Sequence, residues 1–342
     1  MKRCALWTAV VFLAVLLGPA SGPARAAEKI VVGMPVSPPN VIHLPVLYAL
    51  DKGIYKKNGI EVEVKYFRGG VAAQRAVVSA QSGLDAGWIP GSLALIGIAG
   101  GSGQKLFHSF GHLNEAQAAA APDIDTPAKL KGRTVGIEGR GGYSHLGILR
   151  VLEMAGLKDS DVNYIVTAPP ARVPYLLEGK ADAVVIHVEQ VLMAQLKNKN
   201  IKVIANLWKA DPLQLYAAMT ASEEKLKARK NAFAAFAASL MESTRAIYKD
   251  KAGLRATALK HSFPAFKKNP EIFDQTYDVL VKERLWTVNN GLPRKVIDAT
   301  NQLNVDMKKY KGAPPAFEKA LALDVMEAAL KKAGEVTPNT EK

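Results

Sequence analysis

Two α/β lobes, each built on a parallel sheet, are the architecture this sequence predicts, and three observations lead there. Strand, loop and helix alternate from residue 28 to residue 88, and a second run of the same alternation begins near Asp125. A short echo marks the same place in both runs: Gln81-Ser82-Gly83-Leu84-Asp85-Ala86 and Glu178-Gly179-Lys180-Ala181-Asp182-Ala183 each stand between a helix and a short strand. From Ser222 onward the chain reads as helix, so it is expected to cross between the lobes twice and return to the first.

The first strand is Glu28 to Met34, rich in β-branched residues. A proline-rich turn, residues 35–40, leads to a helix from about Ile42 to Lys52, with Pro45 tolerated in its first turn and Gly53 ending it. A second strand runs from Ile60 to Phe67, Arg68-Gly69-Gly70 opens a helix to about Ser82, and a short buried strand ends at Gly87-Trp88. In the second run a strand at 134–137 feeds the glycine-rich loop Glu138 to Ser144. The helix after it is read from Ile148, Val151, Leu152 and Ala155, which fall on one face, and Gly156 stops it. Strands follow at 162–167 and 183–187, separated by the loop Ala168–Arg172 and a helix to Glu178. Further strands are expected at 201–205 and 215–219, then helices near 231–248, 270–282, 293–304 and 315–332. The predicted division is a first part of lobe 1 over 27–115, lobe 2 over 116–205, a return to lobe 1 with C-terminal helices over 206–335, and a frayed tail over 336–342.

Residues 1–26 carry the marks of a secretory leader: basic Met1-Lys2-Arg3, an apolar run from Cys4 to Leu17, and the small-x-small signal Ala24-Arg25-Ala26. The run is too short to span a bilayer, and cleavage is expected after Ala26. Cys4 precedes the apolar run, which argues against a lipid anchor. It is also the only cysteine, so the mature chain is expected to have no disulfide, thiolate nucleophile or cysteine metal site. The formal net charge is +14; without Lys2, Arg3 and Arg25 it is 42 basic against 31 acidic residues, or +11. That balance suits nucleic acid, an anionic surface or an acidic small molecule. Export argues against nucleic acid, and lysines dispersed along helical segments (Lys225, Lys227, Lys230, Lys249, Lys251) read as a solvated face.

Several segments resemble one family. Residues 47–62, with Ala49, Lys52-Gly53-Ile54-Tyr55 and Gly59-Ile60-Glu61-Val62, are similar to the A-x-x-K-G-x-Y/F-x-x-x-G-I/L-x-V segment of nitrate-, sulfonate- and taurine-type periplasmic substrate-binding proteins of ABC importers, which are related to binders of thiamine-pyrimidine precursors. Ser82-Gly83-Leu84-Asp85 resembles the S-G-x-x-D before that family's third strand. Leu130-Lys131-Gly132-Arg133-Thr134-Val135-Gly136-Ile137 resembles its entry to the second lobe, and Gly179-Lys180-Ala181-Asp182-Ala183 its second G-x-x-D-A. The matches fall in order over roughly residues 28–200. The resemblance implies a type II periplasmic-binding fold: two α/β lobes joined by a two-strand hinge, with the ligand clamped in the cleft by hinge closure. It also implies a monomer that docks on a membrane permease.

Ligands of open α/β sheets sit at the carboxyl ends of strands, and mapping those loops onto the cleft gives the candidate site. Gly141, Gly142, Tyr143 and Ser144 open a helix whose free N–H groups and dipole favour an anion; the same residues also read as a tight turn with Ser144 as N-cap. Arg68, Arg140 and Arg172 fall in strand-end loops, where a guanidinium fork binds carboxylate or sulfonate. Trp88 is placed to stack on a ligand or to pack in the core. Asn40, His43, His187 and Glu189 complete the set as polar ligand contacts, with a structural role open for both histidines. His187-Val188-Glu189 lacks a third residue at metal spacing, the glycine loop lacks the third spaced glycine of a dinucleotide fingerprint, and neither G-x-S-x-G nor H-E-x-x-H occurs. The expected function is therefore delivery of a small organic anion, with neither catalysis nor a cofactor; a pyrimidine-precursor binder, or an enzyme or sensor on the same fold, is the alternative.

Overall fold

A computed structural model describes residues 27–337; the leader expected over 1–26, and residues 338–342 of the tail, lie outside them. Ten strands occur in the described chain: β1 (Glu28–Met34), β2 (Ile60–Tyr66), β3 (Ala86–Pro90), β4 (Gln104–His108), β5 (Gln117–Ala120), β6 (Thr134–Ile137), β7 (Asn163–Val166), β8 (Ala183–Ile186), β9 (Lys202–Asn206) and β10 (Ala217–Ser222). They form two five-stranded sheets, ordered β2-β1-β3-β10-β4 in lobe 1 and β7-β6-β8-β5-β9 in lobe 2. The chain passes between them over 109–116 and back over 207–216.

The expectation of purely parallel sheets is corrected. β1 with β2 and β3, and β6 with β7 and β8, are parallel. One strand in each sheet, β10 or β5, runs antiparallel to both of its neighbours. These are the first strands after each crossing. They enter directly from the other lobe, without the helical crossover that a parallel pair requires.

The sequence echo has a common structural cause. In lobe 1 the Val31 N–H donates to Asp85 Oδ2 at 2.9 Å while the Asp85 N–H donates to the Val31 carbonyl at 2.8 Å. In lobe 2 the Thr134 N–H donates to Asp182 Oδ2 at 2.8 Å while the Asp182 N–H donates to the Thr134 carbonyl at 2.8 Å. Each aspartate thus ties the start of its third strand to the first. Gly83 and Gly179 precede them at φ +67° and +69°, the left-handed region that favours glycine.

Several elements are additions to the predicted order. Helix Gly91–Ala99 is Gly-Ser-Leu-Ala-Leu-Ile-Gly-Ile-Ala, which has no polar face to set a 3.6-residue period. Strands β4 and β5 and helix Val188–Lys197 are likewise additions to the predicted order. Some boundaries also move. The helix opened by Gly70 ends at Val78, before a separate turn at Ala80–Ser82. The helix expected over 315–332 is broken into Phe317–Ala320 and Leu323–Ala333, because Leu321 pairs with Leu106 at the sheet edge and the Ala322 N–H donates to the Leu106 carbonyl. Of the expected tail, Val336 is held through its backbone by Asn289.

Lobe 1 is the larger core. Helix Lys230–Ile247 buries Phe233, Phe236, Leu240 and Met241 against Tyr55 and Phe107, and helix Leu323–Ala333 packs on it. Lobe 2 centres on Val135, Ile137, Ile148, Val151 and Val185. The two cores meet at the cleft, where Val188 of lobe 2 joins the lobe 1 core and Tyr143 packs against both. No helix of the described residues is long and apolar enough to cross a membrane.

Candidate functional site

The parallel strands β1, β3, β6 and β8 end at the surface where the lobes face each other, and aromatic side chains meet there. His43 comes from the turn Val41–His43 after β1, and Trp88 from β3. Tyr143 opens helix Tyr143–Met154 after β6, His187 caps helix Val188–Lys197 after β8, and Tyr216 lies in the second crossing. Their rings form a closed circuit. Centroids are 6.5 Å apart from His43 to Trp88, 6.1 Å from Trp88 to Tyr216, 5.6 Å from Tyr216 to Tyr143, 5.7 Å from Tyr143 to His187 and 6.0 Å from His187 back to His43. The Tyr143–His187 pair is stacked, and Phe110 stacks behind Trp88 at 3.7 Å. His43 Nε2 and the Tyr216 hydroxyl are 3.2 Å apart.

Charged groups border the ring, chiefly from lobe 2 and the first crossing. His187 Nδ1 is 2.5 Å from Glu115 Oε1. Glu189, buried, accepts the Val41 N–H at 3.3 Å, a bond from lobe 2 to lobe 1. Arg172, only 3% exposed, pairs with Glu138, donates to the Val185 carbonyl at 3.3 Å and lies over the Tyr143 ring at 5.8 Å. Burial, with His187 beside it, holds the His43 pKa well below its ordinary value, so His43 is neutral. Burial also opposes charge on His187, but the Glu115 carboxylate outweighs it and raises the pKa. Glu189 is pushed up to about 7 by burial, with Glu115 adding repulsion against the attraction of His187. Burial and then Glu115 raise the pKa of Tyr143 and Tyr216, leaving both as neutral hydroxyls.

Several buried polar atoms of this cluster have no hydrogen-bond partner in the protein: both amide atoms of Asn40, His43 Nδ1, Trp88 Nε1, the Tyr143 hydroxyl, Arg172 Nε and Glu115 Oε2. Buried polar groups are almost always satisfied, and this group of unpartnered atoms makes the cluster the candidate site. Most of these atoms are donors, which suits a guest rich in acceptors.

The structure brings together Asn40, His43, Trp88, Tyr143, Arg172, His187 and Glu189 of the predicted residues. The others lie elsewhere or are engaged. Arg68 is exposed in the loop after β2. Arg140 is 63% exposed on its side chain, pairs with Asp159 at 2.5 Å and lies over Tyr164 at 4.9 Å. Arg172 is not in a loop but is the first residue of helix Arg172–Leu177. The glycine loop uses two of its own donors internally. The Gly141 N–H donates to His145 Nδ1 at 2.9 Å, the Gly142 N–H to the Gly139 carbonyl at 3.1 Å, and Ser144 Oγ accepts the Glu138 N–H at 2.9 Å.

Three contributors escaped the sequence reading. Glu115 sits in the first crossing, legible only as a gap between two alternations, and Tyr216, expected in a strand over 215–219, lies in the second crossing just before β10. Glu138 has the signal of a strand-end residue, directly after β6, but stands next to the more conspicuous glycines. Among the described residues no group of three or more His, Cys, Asp or Glu side chains is placed to hold a metal ion.

The sequence matches the family described as NMT1/THI5 like over residues 40–252, more than half of the chain. No curated protein sequence matches it. Solved structures are similar in fold. A Bordetella bronchiseptica RB50 protein superposes with a TM-score of 0.71 at 20% identity, covering 91% of this chain and 99% of its own. The alkanesulfonate-binding protein SsuA of Xanthomonas axonopodis pv. citri, bound to MOPS, gives 0.66 at 17% identity, with 88% and 99% covered. The periplasmic nitrate-binding protein NrtA of Synechocystis PCC 6803 gives 0.68 at 13% identity, with 90% and 89% covered. The architecture is that of the periplasmic binding proteins.

Proposed function

The chain belongs to the NMT1/THI5-like family, and on that premise we propose that it is a periplasmic solute-binding protein that closes its cleft on a small organic anion and presents it to an ABC importer permease. One observation carries the reading: the ring of His43, Trp88, Tyr216, Tyr143 and His187 between the lobes, bordered by buried donors without protein partners. The rings suit the flat or apolar body of a ligand. The surplus of donors, Asn40 Nδ2, Trp88 Nε1, Tyr143 Oη and Arg172 Nε, suits the oxygens of a carboxylate or sulfonate. The names of SsuA and NrtA, anion binders on the same fold, support that class. Binding without turnover is supported by the lack of any cysteine after Cys4.

Thermal unfolding of residues 27–342 against aliphatic and aromatic sulfonates, carboxylates, nitrate and pyrimidines tests the proposal. A ligand at ~100 times its dissociation constant adds about 2.7 kcal/mol of stability. Stabilisation by an anion class, lost in Trp88→Ala, is the expected result. A protein stabilised by no solute in the set is not a binder of this kind, and one stabilised only by pyrimidines is not an anion binder.

A further inference from the structure

We infer that Glu138 is a built-in anion that occupies the anion position of this cleft, so that an incoming carboxylate or sulfonate binds only by displacing it from Arg172. The inference rests on the cleft reading above and names the residue that sets its selectivity.

Three observations converge on Glu138. It follows β6 directly and stands at the N-terminus of the 12-residue helix Tyr143–Met154, where unpaired backbone dipoles favour negative charge. A Cβ added to Gly142, the N-cap of that helix, would lie 2.6 Å from Glu138 Oε1, so the carboxylate rests against the glycine. The same carboxylate holds the guanidinium of Arg172, the buried cation beside the ring.

Independently of the helix terminus, Arg172 Nε is buried without a protein partner, and so is the hydroxyl of Tyr143, over whose ring Arg172 lies. The polar equipment for an oxyanion is present, and its principal charge is already neutralised from within. The Glu138 backbone is fixed by its N–H bond to Ser144 Oγ, while its side chain retains 27% exposure to solvent. A ligand anion and Glu138 therefore compete for one guanidinium, and the internal carboxylate has the advantage of covalent attachment. The result is a raised threshold: only anions with enough ring contact or hydrogen bonding to outcompete a tethered carboxylate are accepted.

Calorimetric titration of methanesulfonate and benzoate into the unmodified protein and into Glu138→Gln tests this. The glutamine keeps the side-chain volume and removes the charge. Glu138→Gln is expected to bind at least one probe roughly tenfold or more tightly than the unmodified protein, the scale of one charge-assisted contact. Adding Arg172→Gln to it is expected to abolish the gain. Equal or weaker binding by Glu138→Gln overturns the inference. So does an absence of anion binding by both proteins when some other solute stabilises the unmodified one, a result that leaves the importer reading standing. If no solute of any class binds, the importer reading falls, and this inference with it. If Glu138→Gln does not fold, Glu138→Asp replaces it. Its carboxylate is withdrawn by one methylene, and tighter anion binding than in the unmodified protein is again expected, with equal or weaker binding again decisive against.

Discussion

In lobe 1 the strand ends at the cleft carry Asn40, His43 and Trp88, neutral groups with polar atoms that no protein atom satisfies. The corresponding strand ends of lobe 2 carry Glu138, Arg172, His187 and Glu189, ionisable groups already tied to partners: Arg172 to Glu138, His187 to Glu115 and Glu189 to the Val41 amide. The sheets behind them share one strand order and one aspartate latch. The contrast teaches that topology decides where a ligand can be met, while a handful of loop side chains decides what meets it. Lobe 1 should act through packing and neutral hydrogen bonds, and lobe 2 through charge.

The largest break in this comparison is expected from Trp88→Ala. Trp88 is buried, stacked on Phe110 and part of the ring, and losing it should cost about 3–5 kcal/mol in urea unfolding as well as ligand binding. A loss below about 1 kcal/mol would mean that the lobe 1 wall repacks and does not depend on the indole.

Glu189→Gln sharpens the lobe 2 half. The Glu189 pKa in the folded protein is raised to about 7 from an ordinary 4.5, so its charge is a penalty on the native state. The penalty is absent below pH 4.5, where the group is protonated whether folded or not. It grows as pH rises toward 7 and is complete above that. The variant should therefore match the unmodified protein near pH 4.5 and exceed it in stability by on the order of 2 kcal/mol at pH 8. His187, also raised, loses stabilisation in the same direction as pH rises, whereas His43, lowered, is destabilising below its ordinary 6.5. Comparing the two proteins at each pH cancels the His43 contribution, while His187, whose pKa the Glu189 charge helps to raise, loses part of its own pH dependence in the variant. A constant difference across that range would contradict the assignment.

The smallest effect belongs to Arg140→Ala. Its partner Asp159 is also solvent-accessible, so the pair should contribute at most about 1 kcal/mol, and anion affinity should be unchanged. Weakened anion binding in this variant would move the anion position out to the glycine loop and away from Arg172.

Much of this is legible in the sequence. The alternation of β-branched runs with amphipathic stretches yields β1, β2, β3, β6, β7 and β8 because buried strands and two-faced helices carry period signals. Helix Gly91–Ala99 carries none, since it is apolar all round. Of the site, Asn40, His43, Trp88, Tyr143, His187 and Glu189 could be found from strand-end position alone. The arginines show the limit of that logic. A guanidinium in a loop is equally suited to a ligand and to a neighbouring carboxylate, and only three-dimensional proximity reveals that Asp159 and Glu138 were there first. The glycine loop is ambiguous for a related reason. Its donors are real, but His145 Nδ1 and the Gly139 carbonyl accept two of them at short sequence range.

The placement of β10 bears on how the molecule is born. All five strands of the lobe 2 sheet come from the continuous stretch 117–206, so that half can assemble without waiting for the rest of the chain. The lobe 1 sheet cannot. β10 stands between β3 and β4, and until residue 222 is made β4 has no sheet to join. The lobe that comes first in the chain is thus the one that closes last, leaving the apolar faces of β1 and β3 incomplete until residues beyond the whole second body have joined them. That interval is when a chaperone has the most to offer.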